Sequence, residues 1–314
     1  MGLIIGMDEA GYGPNLGPLV VTAVAWQVPD HPRQTDLWQE FAGIVDQIPP
    51  EQNEHLQVAD SKKVYQSGKG LAALEQGVLA ALALHENSAS TFHELWRSLA
   101  SNCPDEIPDP WFAEHDLEVP HQSLPEQAHT LRQRWKDRCL ARGIRLVGIR
   151  SDVVSPQRFN RLTRDCDSKG RALTQISMNL VRQLWSVDSS EPALILADKH
   201  GGRNAYHEFV QDLAGDRLVM CHSEGSDSSR YRVHNSEFRF EAKGERHLPV
   251  ALASMFSKYL RELSMVLFNR YWTSRLPDLK PTAGYPGDAR RFREEIRGLQ
   301  ESLAISDEVL WRER

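Results

Sequence analysis

Four carboxylates carry the chemistry this chain can do. Asp8 and Glu9 stand side by side at the end of a short apolar run, residues 3–7. Asp198 ends a second run of that kind, residues 192–197. Glu262 follows Lys258 by four residues in a long helical pattern. One aspartate at a strand end is usually a turn former or a helix cap. An adjacent Asp-Glu pair is different, because two charges beside a buried strand are costly without a counter-ion. Oxygen donors with no histidine or cysteine cluster suit hard divalent ions, Mg²⁺ or Mn²⁺. Two such ions, roughly 4 Å apart, activate a water and steady a leaving oxygen in phosphodiester hydrolysis. Asp8, on the strand expected to be central, is the candidate to bridge both ions.

The elements that must position these groups follow from pattern. Residues 3–7 and 19–28 read as an antiparallel pair of strands joined by a Gly/Pro loop that contains Gly11, Tyr12 and Gly13. Further strands are expected at 144–150, 192–197, 217–221 and 238–241. Helical spacing of apolar residues predicts helices over 68–84, 127–142, 155–185, 248–268 and 289–304. Asp60 and Ser61 sit where residues that start a helix belong. Strands alternating with helices give an α/β layer fold, whose sites lie at strand ends. Residues 85–143, interrupted by Pro104, Pro108, Pro110, Pro120 and Pro125, read as an insertion or small helical subdomain within a single domain spanning 1–314. Their Trp96, Trp111 and Trp135 serve either as core or as a stacking platform, core being the commoner use.

Composition sets outer bounds. The 314 residues are 40% hydrophobic and 25% charged, with a net charge of -6, a balance of globular rather than polybasic type. A nucleic-acid partner would have to be met by a local basic groove. Cys103, Cys139, Cys166 and Cys221 form no C-x-x-C pair, so neither a zinc site nor a disulfide framework is expected. The first apolar run is broken at once by Asp8 and Glu9, unlike a signal peptide. No apolar stretch is long enough to span a bilayer. The expectation is a cytoplasmic monomer with no membrane partner.

Taken in order, the motifs resemble one family. D-E-A-G-Y-G-P-N-L-G-P-L-V-V, from Asp8, resembles the opening motif of type 2 ribonucleases H, the ribonucleases HII and HIII. Asp60-Ser61-Lys62-Lys63 is similar to the D-S-K motif of that family. L-I-L-A-D, ending on Asp198, resembles its third-carboxylate strand. A-L-A-S-M-F-S-K-Y-L-R-E, residues 251–262, resembles its A-x-A-S-I-I-A-K-x-x-R-D helix, and Gly284-Tyr285 its later G-Y loop. The resemblance covers most of the chain outside 85–143.

It implies a ribonuclease H-like fold with a central mixed five-stranded sheet flanked by helices, plus the helical insertion. It implies an endonuclease that uses two divalent ions, Mg²⁺ or Mn²⁺, to cut the RNA strand of RNA–DNA hybrids or ribonucleotide-containing duplexes, leaving 3′-hydroxyl and 5′-phosphate ends. By position, Asp8, Glu9, Asp198 and Glu262 would be the catalytic, metal-binding carboxylates. Gly11, Tyr12, Gly13, Ser61, Lys62, Lys258 and Tyr285 would meet substrate.

Two positions depart from the pattern. The HII loop is G-R-G, and here Tyr12 stands between the glycines; a phenol cannot clamp phosphate as a guanidinium does. Glu262 replaces the aspartate of HII, as in the HIII branch, while the first strand, beginning at residue 3, leaves the HIII substrate-binding extension without a counterpart. Two other readings stay open: a related nuclease that cuts DNA or structured nucleic acid, and a silent nucleic-acid-binding module.

Several residues admit two uses each. Ser61 and Lys62 are either phosphate contacts or a helix cap with a solvated lysine. Lys258 either lies near phosphate or makes an i,i+4 pair with Glu262. Tyr285 either stacks on a sugar or base or packs at the core edge. The run Lys199-His200-Gly201-Gly202-Arg203 either binds phosphate or shuttles a proton, or it is a solvated turn. Arg290, Arg291 and Arg293 either grip backbone phosphate or form a solvated helix face.

Overall fold

The computed structural model describes every residue except 52–53, 66–67, 69, 102–108, 123–126 and 314. Cys103, Pro104, Pro108 and Pro125 therefore lie outside the described residues. Strands β1 (Gly2–Ala10) and β2 (Leu19–Val28) open the chain. Next come α1 (Leu37–Glu40), the two-residue strands β3 (Val45–Asp46) and β4 (Leu56–Gln57), α2 (Ser61–Val64) and α3 (Ala72–Leu84). The segment read as an insertion carries α4 (Phe92–Leu99), α5 (Pro110–Ala113) and α6 (Gln127–Arg142). β5 (Arg145–Val154), α7 (Pro156–Asp165), α8 (Lys169–Leu184), β6 (Ala193–Asp198) and α9 (His207–Ala214) follow. Strands β7 (Val219–Ser223), β8 (Ser228–Val233) and β9 (Ser236–Glu241) precede α10 (Leu248–Thr273), α11 (Pro286–Ser302) and α12 (Asp307–Leu310).

The main sheet runs β5-β2-β1-β6-β9-β8-β7. The pairs β1–β6 and β6–β9 are parallel and the others antiparallel, so the sheet is mixed. It has seven strands rather than the expected five. The β7–β8 hairpin extends it beyond β9, and β8 escaped sequence reading because it is Ser-Ser-Arg-Tyr-Arg-Val, with two arginines in six residues. Its buried Tyr231 and Val233 still alternate with Arg230 and Arg232, the half-buried pattern of a strand near a sheet edge.

Side-chain alternation along β1 divides the core in two. Ile4 faces α10 together with Val20, Val24, Leu194 and Leu196, while Ile5 and Met7 face α8. Helix α10 lies along β1 in the same direction. Gly6 meets the start of α10, where a Cβ would sit 2.2 Å from the Pro249 carbonyl carbon. Ser257 donates to the Asp8 carbonyl at 3.0 Å. Arg261 lies against Gly11. Five strand residues rise roughly 17 Å and twelve helical residues roughly 18 Å, so strand and helix stay in step.

The tryptophans of the 85–143 segment are core. Trp135 stacks on Trp26 at 6.0 Å, and Trp111 meets Phe268 of α10 edge-on at 5.0 Å. Trp96 is buried against Phe112 and belongs to the same apolar cluster as α10. One helix expected over 155–185 is two: Asp167 adopts φ 52, and the Ser168 side chain caps α8 by accepting from the Arg171 N–H. That break creates a second helix start close to β6. Among the described residues no helix is long and apolar enough to cross a membrane.

Candidate active site

β1 extends past its apolar run, so Asp8 and Glu9 lie within the strand rather than after it. Parallel register pairs Met7 with Ala197, and one step further brings Asp8 level with Asp198 on the adjacent strand. Across the next parallel pair, Asp198 stands opposite Glu241. By alternation Asp8, Asp198 and Glu241 share the α10 side of the sheet, at neighbouring strand ends roughly 5 Å apart. Glu9, the next residue of β1, still has its carboxyl within hydrogen-bonding reach of the Asp8 carboxyl.

The three acids of this row are compensated very differently. Glu241 is buried and held by Arg246 at 2.6 Å and His247 at 2.8 Å. The His247 and Arg246 contacts bring its carboxyl down to about 2. Asp198 accepts the Gly244 N–H at 3.1 Å. Asp8 is pushed up to about 7, chiefly by burial, with the charges of Asp198 and Asp60 adding to it and a hydrogen bond with Ser254 opposing. Glu9 is raised well above the ordinary carboxylate range by burial and then by Asp8 and Asp198. Both Asp8 and Glu9 keep a partial opening to solvent. Among the described residues, none of Asp8, Glu9 and Asp198 has a cation within salt-bridge distance.

The segment before α2 covers this edge. Asp60 caps α2, accepting the Lys62 N–H at 3.0 Å. Ser61 is buried, and its N–H donates to the Ser254 hydroxyl at 3.3 Å, which links it through Ser254 to Asp8. Lys62 is exposed, and its ammonium is strengthened by Asp60 first and also by Asp8, Glu9 and Asp198. It is the cation that answers the acidic group, at longer range than a salt bridge.

Glu262 is placed apart. Lys258 holds it at 2.6 Å and Arg261 at 3.0 Å, and it accepts from the Tyr65 hydroxyl. It is two turns beyond Ser254, roughly 12 Å along the axis, level with Gly11 rather than with Asp8. Lys258 thus makes the i,i+4 pair, with its ammonium 4.4 Å over the Tyr65 ring. Tyr285 is 52% exposed, so it is not packed at the core edge. Its ring lies 5.9 Å from the Arg261 guanidinium.

In the loop, Gly11 has φ +85, and a Cβ there would meet Arg261 Nε at 2.6 Å. The close approach that Gly11 permits is to Arg261. Gly13 faces open space. Tyr12 turns toward the α8 side, where its hydroxyl lies near Gly170 and Gly201. Its phenol is raised by burial and by Glu9, and Arg203 opposes the shift.

No protein-family model matches the chain, and no curated protein matches it. Solved structures that it resembles include ribonucleases HII and HIII. An Archaeoglobus fulgidus RNase HII, solved as a PCNA complex, has 17% identity over 99% of this chain and 94% of its own, with a TM-score of 0.46. The ribonuclease H2 of Pyrococcus horikoshii has 14% identity over 98% and 92%, with a TM-score of 0.41. Bst-RNase HIII, solved in complex with Mn²⁺, has 14% identity over 99% and 66%, with a TM-score of 0.38.

Among the described residues, no three Asp, Glu, His or Cys side chains stand in metal-coordinating geometry. The donor set nevertheless fits a hard dication. Asp8, Glu9 and Asp198 offer only oxygen ligands, and their mutual repulsion is what a divalent ion would relieve. Sequence reading missed Ser254 as a partner of Asp8 and Glu241 as a member of the acidic row. Strand register alone could have aligned Glu241. It also missed Arg312, a buried guanidinium 5.0 Å over the Phe159 ring, whose backbone N–H donates to Asn15 of the glycine loop at 2.8 Å. Nothing in a charged C-terminal stretch signals that burial.

Proposed function

We propose that the chain is a metal-dependent endonuclease that hydrolyses the RNA strand of RNA–DNA hybrids, leaving 3′-hydroxyl and 5′-phosphate ends. The observation that carries this is the crowding of Asp8, Glu9 and Asp198 at adjacent strand ends without an ion-paired cation. Asp8, Glu9 and Asp198 would hold Mg²⁺ or Mn²⁺, with Asp8 the shared ligand. Two divalent ions in such a donor set supply a lowered water pKa and positive charge for the leaving O3′. Glu262 is the fourth carboxylate, at the outer edge, with Lys258 and Arg261 holding it.

The chain's own groups do the positioning. Ser254 orients the Asp8 carboxyl, and Ser61 fixes Ser254 in turn. Lys62 places a positive charge over the acidic edge, where a scissile phosphate would lie. Tyr285 offers an exposed ring for a sugar or base. We take residues 1–314 as a single domain and a monomer, with 85–143 as an insertion into it.

The test is cleavage of an end-labelled hybrid duplex in Mg²⁺ and in Mn²⁺. Wild type should cut the RNA strand; Asp198→Asn should lose at least a hundredfold in rate. Hybrid left intact in both metals overturns the proposal. A second reading, a nuclease of altered specificity, is favoured by Tyr12 in the glycine loop. Cleavage of an all-DNA duplex in preference to hybrid would support that reading instead.

A further inference from the structure

A cavity opens beside the acidic edge, on the α8 side of the sheet. Its volume is about 530 Å³, and its walls include Tyr12, Ser168, Lys169, Gly170, Gly201 and Arg203. No carboxylate lines it, and two cationic side chains do. In a chain of net charge -6 that is a local reversal of sign.

The wall is built rather than loose. Lys199 is spent on structure: its ammonium donates to the Arg203 carbonyl, the Asn204 side chain, the Gly225 carbonyl and the Ser229 hydroxyl. His200 is buried against Thr174 at 3.1 Å, and its N–H donates to the Tyr206 hydroxyl at 2.9 Å. Burial, and then Arg203, hold its imidazole down to about 3, so this lining residue of the cavity is neutral. Of the basic run after Asp198, Arg203 alone is left to face a ligand.

Arg203 is placed for that role. Its guanidinium packs 5.1 Å over the Phe209 ring. The nearby Glu208 carboxylate is held in a two-pronged pair by Arg171, at 2.6 and 3.0 Å, and stands 3.7 Å from Arg203. Among the described residues, Arg203 Nε is buried and has no hydrogen-bond partner, so any contact with a ligand would come from the guanidinium's terminal nitrogens. Across the cavity, Lys169 and Gly170 form the first turn of α8, whose N–H groups add to the positive field. Tyr12 separates this basic wall from Glu9.

We propose that this cavity is a phosphate subsite, in which Arg203 and Lys169 hold a backbone phosphodiester of the nucleic-acid strand that reaches the Asp8–Glu9–Asp198 edge. The ligand's being a strand rests on the nuclease reading; the cavity's preference for a phosphate rests on its own walls.

The test uses the full chain with Arg203→Gln and Lys169→Gln, singly and together. Binding of a fluorescein-labelled hybrid is measured in Ca²⁺ across a salt series. Each lost contact should weaken binding about 3–10-fold and lower the slope of log affinity against log salt by about 0.9, hence by nearly 2 for the double variant. Arg203→Lys should keep most of the slope. One methylphosphonate linkage in the hybrid should weaken wild type and leave Arg203→Gln no weaker than before. A folded double variant with wild-type affinity and slope overturns the subsite. If wild type cleaves hybrid in that case, the nuclease reading stands without it. If the slope falls as expected while wild type cleaves nothing, the subsite stands and the catalytic reading fails. Inorganic phosphate that binds wild type and not Arg203→Gln, with hybrid affinity unchanged, overturns the assignment to a strand.

Discussion

Asp8 keeps its proton to about pH 7 because burial and neighbouring charges disfavour its anion. A carboxyl raised above its unfolded value favours the folded state most below the unfolded pKa. That contribution is lost as pH rises through the folded value. Wild type in chelator should therefore lose melting temperature between about pH 4 and pH 7, by several degrees, and level off above that. Asp8→Asn should flatten that part of the profile, and added Mn²⁺ should restore wild type far more than the variant. Differential scanning fluorimetry across pH checks both; an unchanged profile in Asp8→Asn would contradict the crowding of charge at this edge. The acidic pair was readable in the sequence because two charges ending an apolar run are conspicuous. That both lie within β1 rather than after it was not, since the apolar run stops before them.

At the scale of elements, α10 sets the site by staying in step with β1. Gly6 is the point of closest approach, and Gly6→Ala should force the two apart. The expected cost is about 1–3 kcal/mol by urea denaturation, with loss of Asp8 positioning. The start of α10 is moored by Glu241, through Arg246 and His247. Its carboxyl is held at about 2, below its ordinary value of 4.5. This stability is present above pH 4.5 and is lost as pH falls through the folded value. Glu241→Gln should lower stability at pH 7 by about 2 kcal/mol and reduce the steepness of acid unfolding between pH 4.5 and 2. Equal acid limbs in the two proteins would contradict the mooring. Long periodic stretches such as α10 were legible, as were the apolar strands. β8 was not, because its arginines mask the alternation, and the α7–α8 break was not, because a positive φ at Asp167 leaves no composition signal.

Over the whole molecule, the 85–143 segment is tied to the sheet by aromatic packing. Trp135 is buried between Trp26 of β2 and Phe41. Trp135→Ala should cost about 3–5 kcal/mol and lower a single cooperative unfolding transition. A separate early transition, with the sheet unaffected, would show the segment folding on its own. The tryptophans gave no positional signal in sequence, since a large aromatic suits a core and a stacking surface equally; only their neighbours decide. The four carboxylates were legible as residues, whereas their unequal placement depends on register and helix rise. Glu262 lies level with the glycine loop and not with Asp8. The account's central claim is that Asp8, Glu9 and Asp198 form a metal-dependent nuclease centre. Its most direct test compares purified wild type and Asp8→Asn on a labelled RNA–DNA hybrid, with Mg²⁺, Mn²⁺ or chelator. The account predicts RNA-strand cleavage by wild type in metal only, and at least a hundredfold less by the folded variant. Equal cleavage by the two proteins, or none by wild type in either metal, would contradict it.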